Sequence, residues 1–186
     1  MRHLTLICFA ALVLAGCGNR RLLLGVDALS FTQPQDRSMA FGPVPALPVP
    51  ISTGELAVID DQHVSMFGGV HNVVDVESVS LSFSADVADS TGDGLDTLRV
   101  YLSDAGTNPM QTPAVVQLPF TLAPGQHVPL HVDIAGDPRI NALFTEQEMR
   151  VTVTTSLQGP ASGQALNGQI TVTELRAAVV ARHHTL

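Results

Sequence analysis

Residues 79–87 read VSLSFSADV, and apolar residues alternate strictly with serine and aspartate through this segment. Side chains of a β-strand point alternately to the two faces of a sheet, so this period of two predicts a strand with one buried and one exposed face. Upstream, Val74 and Val76 have the opposite parity. We therefore expect a β-bulge near Glu77, where one extra residue moves the apolar side chains to the other face.

Seven other stretches have strand-like composition or alternation. They are 22–31, 55–67 (one or two strands), 98–102, 114–122, 128–134, 149–156 and 169–182. The phase of the last stretch slips between Val172 and Leu175, which predicts a second bulge. Pro129 lies out of phase with the apolar residues of 128–134. Because proline has no amide hydrogen to donate, this strand is expected at a sheet edge.

Helix signals are confined to one place. Asp137 and Pro138 have the residue types of a helix N-cap and a first helical residue, and they predict one short helix over 139–146. About eight strands separated by turn signals, with one short helix at most, predict an all-β fold. We expect an antiparallel β-sandwich of the immunoglobulin-like or jelly-roll type, with a closed barrel as the alternative. Residues 22–186 then form a single domain.

Two loops carry further expectations. The acidic stretch 89–96, DSTGDGLD, is predicted to be the turn of a hairpin between strands 73–87 and 98–102. Residues 33–53 contain five prolines, and the GPVPALPVP segment at 42–50 favours an extended polyproline II conformation. We interpret it as a stiff crossing between sheets, with a ligand segment for a partner as the alternative.

Composition excludes several classes of function. The chain of 186 residues has a formal net charge of −8 and contains neither lysine nor tryptophan. Nucleic acid is not an expected partner, because phosphate contacts need clusters of Lys and Arg. Tyr101 is the single tyrosine, so a sugar site built on stacked aromatic rings is not expected either. The 45% hydrophobic and 14% charged content is the opposite of the signature of disorder.

The N-terminus has the features of a secretory signal. A short basic head, Met1-Arg2-His3, precedes the uncharged apolar run LTLICFAALVL at 4–14. This run is far shorter than the roughly 20 residues that span a bilayer, and small residues follow it. The next four residues, 14–17, read LAGC and closely resemble the lipobox of bacterial lipoproteins.

This resemblance implies a lipid anchor. In that family a diacylglyceryl group is attached to the cysteine thiol, the signal peptidase cuts before the cysteine, and the new amine is acylated. Residues 1–16 are then a cleaved signal peptide, Cys17 is the lipidated first residue, and 17–21 form a short tether. In the family an Asp after the cysteine favours the inner membrane. Gly18 stands at that position here, so the resemblance implies the outer membrane, facing the periplasm.

The tether brings two basic residues close to the expected membrane. Arg20 and Arg21 follow Cys17 within four positions. Basic side chains at a membrane surface gain about 1 kcal/mol each from anionic head groups. We therefore expect the domain to lie near the bilayer with these side chains at the head groups, and simple solvation of both charges is the alternative.

A calcium site is the first candidate for chemistry in the domain. Residues 89–94 read DSTGDG, which matches the start of a calcium loop, D-x-[DNST]-x-D-G. The predicted oxygen ligands are Asp86, Asp89, Thr91, Asp93 and Asp96. The twelfth position is Val100 rather than the Glu of an EF-hand, so the hypothesis is a looser Ca²⁺ site. A polar turn without an ion is the alternative, and no other cofactor is expected.

Histidines supply further candidates. His127 and His131 share a strand face but lie about 13 Å apart, which is too far to bind one metal ion. Asp61, His63, His71 and Asp75 form a second candidate set for a metal site. The chain lacks the G-x-S-x-G, H-E-x-x-H and Cys–His arrangements of common hydrolases, so no catalytic residue is predicted. A Ser–His–Asp site assembled from distant residues stays open.

Serine- and threonine-rich faces at 78–84, 152–156 and 171–173 are expected to be outward surfaces with little charge. Taken together, these features predict a lipid-anchored cell-envelope protein with a non-catalytic structural or protein-interaction role. Its partners would be the membrane, through the lipid on Cys17, and another envelope protein. A calcium- or small-ligand-binding envelope domain is the alternative, and a hydrolase with a scattered site is the third hypothesis.

Overall fold

Two antiparallel sheets form the domain in the computed structural model, which describes residues 21–66 and 74–183. Sheet A contains β1 (Arg21–Asp27), β2 (Ser38–Val44), β4 (Val74–Thr91), β7 (His127–Ala135) and β9 (Leu166–His183). Sheet B contains β3 (Leu56–Ser65), β5 (Gly94–Asp104), β6 (Val116–Leu122) and β8 (Glu148–Gln158). The predicted all-β sandwich is confirmed.

The strand order identifies the sandwich as a jelly roll. Sheet A has the order β1-β9-β4-β7, with β2 also paired to β9, and sheet B has the order β3-β8-β5-β6. Strands β1 and β2 lie one after the other along the same edge of β9, so sheet A is four strands wide although it contains five strands. Among the later strands only β5 and β6 are both consecutive and adjacent. This arrangement is the double Greek key of a jelly roll.

Strand β4 organises the core, as its sequence predicts. Its five alternate residues, Val79, Leu81, Phe83, Ala85 and Val87, are each at most 3% exposed. They pack with the inward-facing apolar residues of β5, β8 and β9 in one continuous cluster. The register with β9 shifts between Val76 and Ser78, and again between Ser84 and Ala85. Both predicted bulges are therefore confirmed.

The expected hairpin at 89–96 is wrong. Strand β4 pairs with β7 and β9, whereas β5 pairs with β6 and β8 in the other sheet. Each of the two strands has one apolar face, and the chain buries both by placing them across the core from each other. The turn between them contains Gly92 at a φ of +81°, where a Cβ atom would lie 2.8 Å from the carbonyl oxygen of Ala165. Only glycine fits this conformation and this close approach.

The smaller expectations are largely confirmed. Strand β7 is the last strand of sheet A, so Pro129 lies on an edge strand. Helix α1 (Pro138–Leu143) begins where predicted and ends three residues earlier than 146. Asp137 caps it by accepting a hydrogen bond from the amide of Arg139 at 2.8 Å. Three short 3₁₀ helices complete the described elements, at Ala28–Phe31, Pro34–Arg37 and Pro109–Gln111.

The proline-rich segment has two parts. Its beginning belongs to β2, which extends to Val44, and residues 45–55 then cross from sheet A to sheet B. The expected crossing is therefore present but shorter than the composition suggests. Within the described ranges, no helix has the length and apolar character needed to cross a membrane.

Candidate functional site

Five polar side chains meet on the outer face of sheet A. Ser84 of β4 lies opposite His131 of β7 on one side and opposite Glu174 of β9 on the other. Its Oγ is 2.8 Å from His131 Nδ1 and donates a hydrogen bond to Glu174 Oε2 at 3.0 Å. Because the hydroxyl has one proton, the imidazole donates from Nδ1 whenever Ser84 donates to Glu174. We call Ser82, Ser84, His131, Asp133 and Glu174 the polar array.

Asp133 completes the polar array at the sheet edge. It lies two residues after His131 on β7, and its Oδ2 is 3.2 Å from His131 Nε2. Ser82 donates to the other carboxylate oxygen at 2.5 Å. The hydrogen bonds of Asp133 with Ser82 and His131 lower the pKa of Asp133 below its ordinary value. A carboxylate, an imidazole, a hydroxyl and a second carboxylate are thus bonded in series.

The polar array resembles a catalytic triad only in its side chains. A serine hydrolase also needs backbone or side-chain donors aimed at the oxyanion that forms beside the serine. Ser84 lies in a strand that is paired on both sides, so its neighbouring amides point into the two ladders. The side chains of His131 and Asp133 are 57% and 67% exposed on an open sheet face. This geometry suits hydrogen bonding to a polar partner better than acyl transfer.

The outer face of sheet A carries more charge around Ser82 and Ser84 than the sequence predicted. Ser82 and Ser84 are flanked by His131, Asp133 and Glu174 from the neighbouring strands. The pattern of one strand alone does not reveal this charge, because the charged side chains belong to the neighbouring strands β7 and β9. His131 and Asp133 are two residues apart and therefore share a face, which is the one signal that the sequence offered. Nothing local in the sequence places Ser84 between them and Glu174.

His127 belongs to a separate contact. Its Nε2 lies 3.6 Å from Asp86 Oδ1, while His131 bonds Ser84 and Asp133. The two histidines therefore have different partners, as their predicted spacing along the strand requires.

Two of the predicted calcium ligands lie in different sheets. Asp86 is on the outward side of β4 in sheet A, whereas Asp96 shares the inward side of β5 in sheet B with Leu98. Asp93 is exposed in the connecting turn, and Asp89 is on β4 opposite Gly168. Within residues 21–66 and 74–183, no group of three or more His, Cys, Asp or Glu side chains is arranged to hold a metal ion.

Thr91, the remaining predicted ligand, has local partners. Its Oγ1 donates to the carbonyl oxygen of Ala165 at 2.8 Å and accepts from the side-chain amide of Asn167 at 2.7 Å. These bonds join the end of β4 to the start of β9. The hydroxyl thereby stabilises the connection between strands at this end of the sandwich.

Asp96 is instead a buried carboxyl of the core. It is 3% exposed, and Thr155 Oγ1 lies 2.6 and 2.7 Å from its two oxygens. Burial raises its pKa to about 6, although the hydrogen bonds from Thr155 and from the Thr97 and Ser156 amides oppose this shift. The sequence contained the signal for burial, because Asp96 has the same parity as the apolar residues that follow it on β5.

The threonine-rich face of β8 is also covered, contrary to expectation. Thr152 and Thr154 are 2% and 0% exposed. Thr154 Oγ1 donates to Glu55 at 3.0 Å, and the hydroxyl of Tyr101 donates to the same carboxylate at 2.8 Å. The loop after β5 covers the other end of this face, where the carbonyl oxygen of Thr107 accepts from Ser103. The outward surface of sheet B is therefore partly an internal polar layer.

The second candidate set is divided among different partners. Asp61 has a φ of +44° and forms a two-point ion pair with Arg150, whose Nε donates to Asp61 Oδ1 at 2.6 Å. The hydrogen bond from Arg150 lowers the pKa of Asp61. His63 contacts Glu148 instead. His71 and the proposed lipidation residue Cys17 lie outside the described residues.

Comparisons with known proteins add the following. No protein-family model and no curated protein sequence matches the chain. A structure of the infectious bursal disease virus Gx strain is 11% identical with a TM-score of 0.37, covering 97% of this chain and 45% of that chain. The VP2 subviral particle of the same virus is 11% identical with a TM-score of 0.36, covering 89% and 38%. This chain thus spans less than half the length of these viral chains.

Proposed function

We propose that this chain is a lipid-anchored protein of the bacterial cell envelope, with a non-catalytic structural or protein-binding role. The observation that carries the proposal is the LAGC sequence at 14–17, placed four residues before the first strand of a β-sandwich. Because β1 begins at Arg21, the described domain follows the cysteine almost directly. Gly18 after the cysteine favours the outer membrane within this proposal.

The surface chemistry supports a binding role. The polar array presents hydroxyl, imidazole and carboxylate groups on an open sheet face. Hydrogen-bonding groups spread over a flat sheet suit contact with another folded protein, whose own polar groups can pair with them. The outer face of sheet A is therefore the proposed binding surface.

Lipidation is tested with two cysteine variants. The chain has two cysteines, and Cys8 lies in the apolar run of the signal, so Cys8→Ala is a matched control for Cys17→Ala. In cells fed labelled palmitate, we expect the label and membrane association to persist in Cys8→Ala and to disappear in Cys17→Ala. Label retained on Cys17→Ala, or lost equally from both variants, would contradict the anchor.

The binding role is tested with photo-reactive residues, because a chain without lysine escapes amine cross-linkers. One probe replaces exposed Ser80 on the outer face of sheet A, and a control probe replaces exposed Gln117 on β6 of sheet B. We expect one envelope protein to be captured from position 80 in intact cells, and not from position 117 or from the Cys17→Ala background. Equal capture from both faces would refute a specific surface on sheet A.

A further inference from the structure

Leu23 exposes an apolar side chain at the edge of sheet A. It lies on β1, an edge strand of sheet A, and is 73% exposed. On the outward side of this strand it follows Arg21, and its neighbour across the ladder is Val180. An exposed leucine is ordinary by itself. Leu23 is, however, only six positions after Cys17 in the sequence, so a lipid attached there would lie close to it.

Two exposed arginine side chains lie beside Leu23. Arg21 is paired with Arg182 across the ladder, and Glu77 contacts both guanidinium groups, at 2.9 and 2.5 Å. The side chain of Glu77 is only 20% exposed, whereas those of Arg21 and Arg182 are 70% and 45% exposed. Asp75 also faces Arg182, so the four described charges balance.

The length of the tether fixes how far this corner can lie from the lipid. Three residues separate Cys17 from Arg21, and a chain spans at most about 3.6 Å per residue, so their Cα atoms are at most about 14 Å apart. The head-group layer on each side of a bilayer is itself about 5–7 Å thick. A lipid on Cys17 therefore holds the start of β1 at the membrane surface.

We propose that the outward side of the start of β1, formed by Leu23 beside the Arg21–Arg182 pair, lies in the head-group layer of the leaflet that holds the Cys17 lipid. This inference rests on the proposed lipid anchor and adds the orientation of the domain. Leucine gains from the apolar boundary of that layer, and the two arginines gain from the phosphates. The sandwich is then fixed at its β1 corner, and the turn at 92–93, at the far end of β4, points away from the membrane.

A single tryptophan tests this orientation, because the chain contains none. The lipidated full-length Leu23→Trp protein is placed in vesicles of phosphatidylethanolamine and phosphatidylglycerol that carry brominated acyl chains. Leu95→Trp is the matched control, since Leu95 is 53% exposed on β5 beside the far turn. Both variants have the same lipid and the same probe, so the preference of tryptophan for interfaces affects them equally.

We expect the emission of the position-23 variant to shift to shorter wavelength and to be quenched several-fold more strongly than that of the position-95 variant. Lipid attachment is verified by the intact mass of the same sample. Equal quenching at both positions, or none at either in a lipidated sample, would overturn the orientation and leave the anchor intact. A blue shift at position 23 that persists without vesicles, together with a dimer in sedimentation, would assign this edge to a second copy. A sample without lipid would overturn both proposals.

Discussion

The buried carboxyl of Asp96 gives the strongest test of the core. Asp96 is 3% exposed, and its pKa is raised to about 6 from an ordinary value of 3.8 because burial disfavours the charged form. Between these two values the folded protein holds a proton that the unfolded chain has released. The contribution of Asp96 to the free energy of unfolding should therefore be largest below pH 3.8. It should fall as the pH rises from 3.8 through about 6.

The size of this effect follows from the same two values. A difference of one pKa unit corresponds to about 1.36 kcal/mol, so ionisation of Asp96 should cost about 3 kcal/mol of stability once the pH is above 6. Asp61, Asp133 and Asp137 have lowered pKa values, so they act in the opposite direction and lose stability at low pH. The contribution of Asp96 is consequently visible only against a variant that lacks it.

The Asp96→Asn variant isolates this contribution. The amide has the shape of the protonated carboxyl and keeps an oxygen that can accept from Thr155. Urea unfolding is followed by far-ultraviolet circular dichroism across the pH range, because the chain has no tryptophan. Relative to the wild type, the Asp96→Asn variant should gain about 3 kcal/mol between low pH and neutral pH. Asp93→Asn removes the same charge from the exposed turn and controls for net charge.

The comparison does not depend on how well the amide fits. A poor fit of the amide at the Thr97 and Ser156 amide groups lowers stability by the same amount at every pH, and leaves the pH dependence of the difference unchanged. If the wild-type and Asp96→Asn curves stay parallel from about pH 3 to about pH 8, the carboxyl is not protonated near 6 in the folded state. The account of the buried Asp96 would then be refuted.

Three further results are expected. Phe83→Ala should lower the free energy of unfolding by about 3–5 kcal/mol, because it leaves a cavity in the core, whereas Ser80→Ala on the exposed face of the same strand should change it by less than about 0.5 kcal/mol; equal losses would contradict the assigned faces of β4. Asp61→Asn should lower the urea midpoint at neutral pH more than Asp60→Asn, because Arg150 pairs with Asp61. That difference should shrink as the pH falls through the ordinary carboxyl range. The pKa of Asp61 is lowered in the folded protein, so its carboxylate stabilises the fold only while it is ionised. Adding calcium to chelator-treated protein should leave the Tm unchanged, because Asp86 and Asp96 lie in different sheets and Asp96 is buried, and a rise that follows the calcium concentration would support the predicted calcium site.

Local features were predictable because each depends on a few neighbouring residues. The period of two in 79–87 identifies β4 and its buried face, and the phase changes near Glu77 and between Val172 and Leu175 locate the two bulges. Pro129 indicates an edge strand because it lacks a donor, and Asp137 with Pro138 indicates the start of the helix. None of these conclusions requires knowledge of which strand lies beside another.

The hairpin error shows where local information ends. Residues 74–91 and 94–104 alternate as two strands joined by a tight turn, and that pattern is the same whether the strands pair or face each other across a core. The structure chooses the second arrangement, with β4 and β5 in opposite sheets. Burying two apolar faces against each other is a property of the whole sandwich, and no window of sequence contains it.

By itself, the sequence determined the fold class, the position of the main strands and the resemblance of 14–17 to a lipobox. Only the tertiary structure decided the jelly-roll order, the burial of Thr154 and the polar array. Ser84 meets His131 from 47 residues away and Glu174 from 90 residues away. Alternation along a strand is set by local backbone geometry, whereas these meetings depend on the register between strands, which the packing of all the apolar faces fixes together.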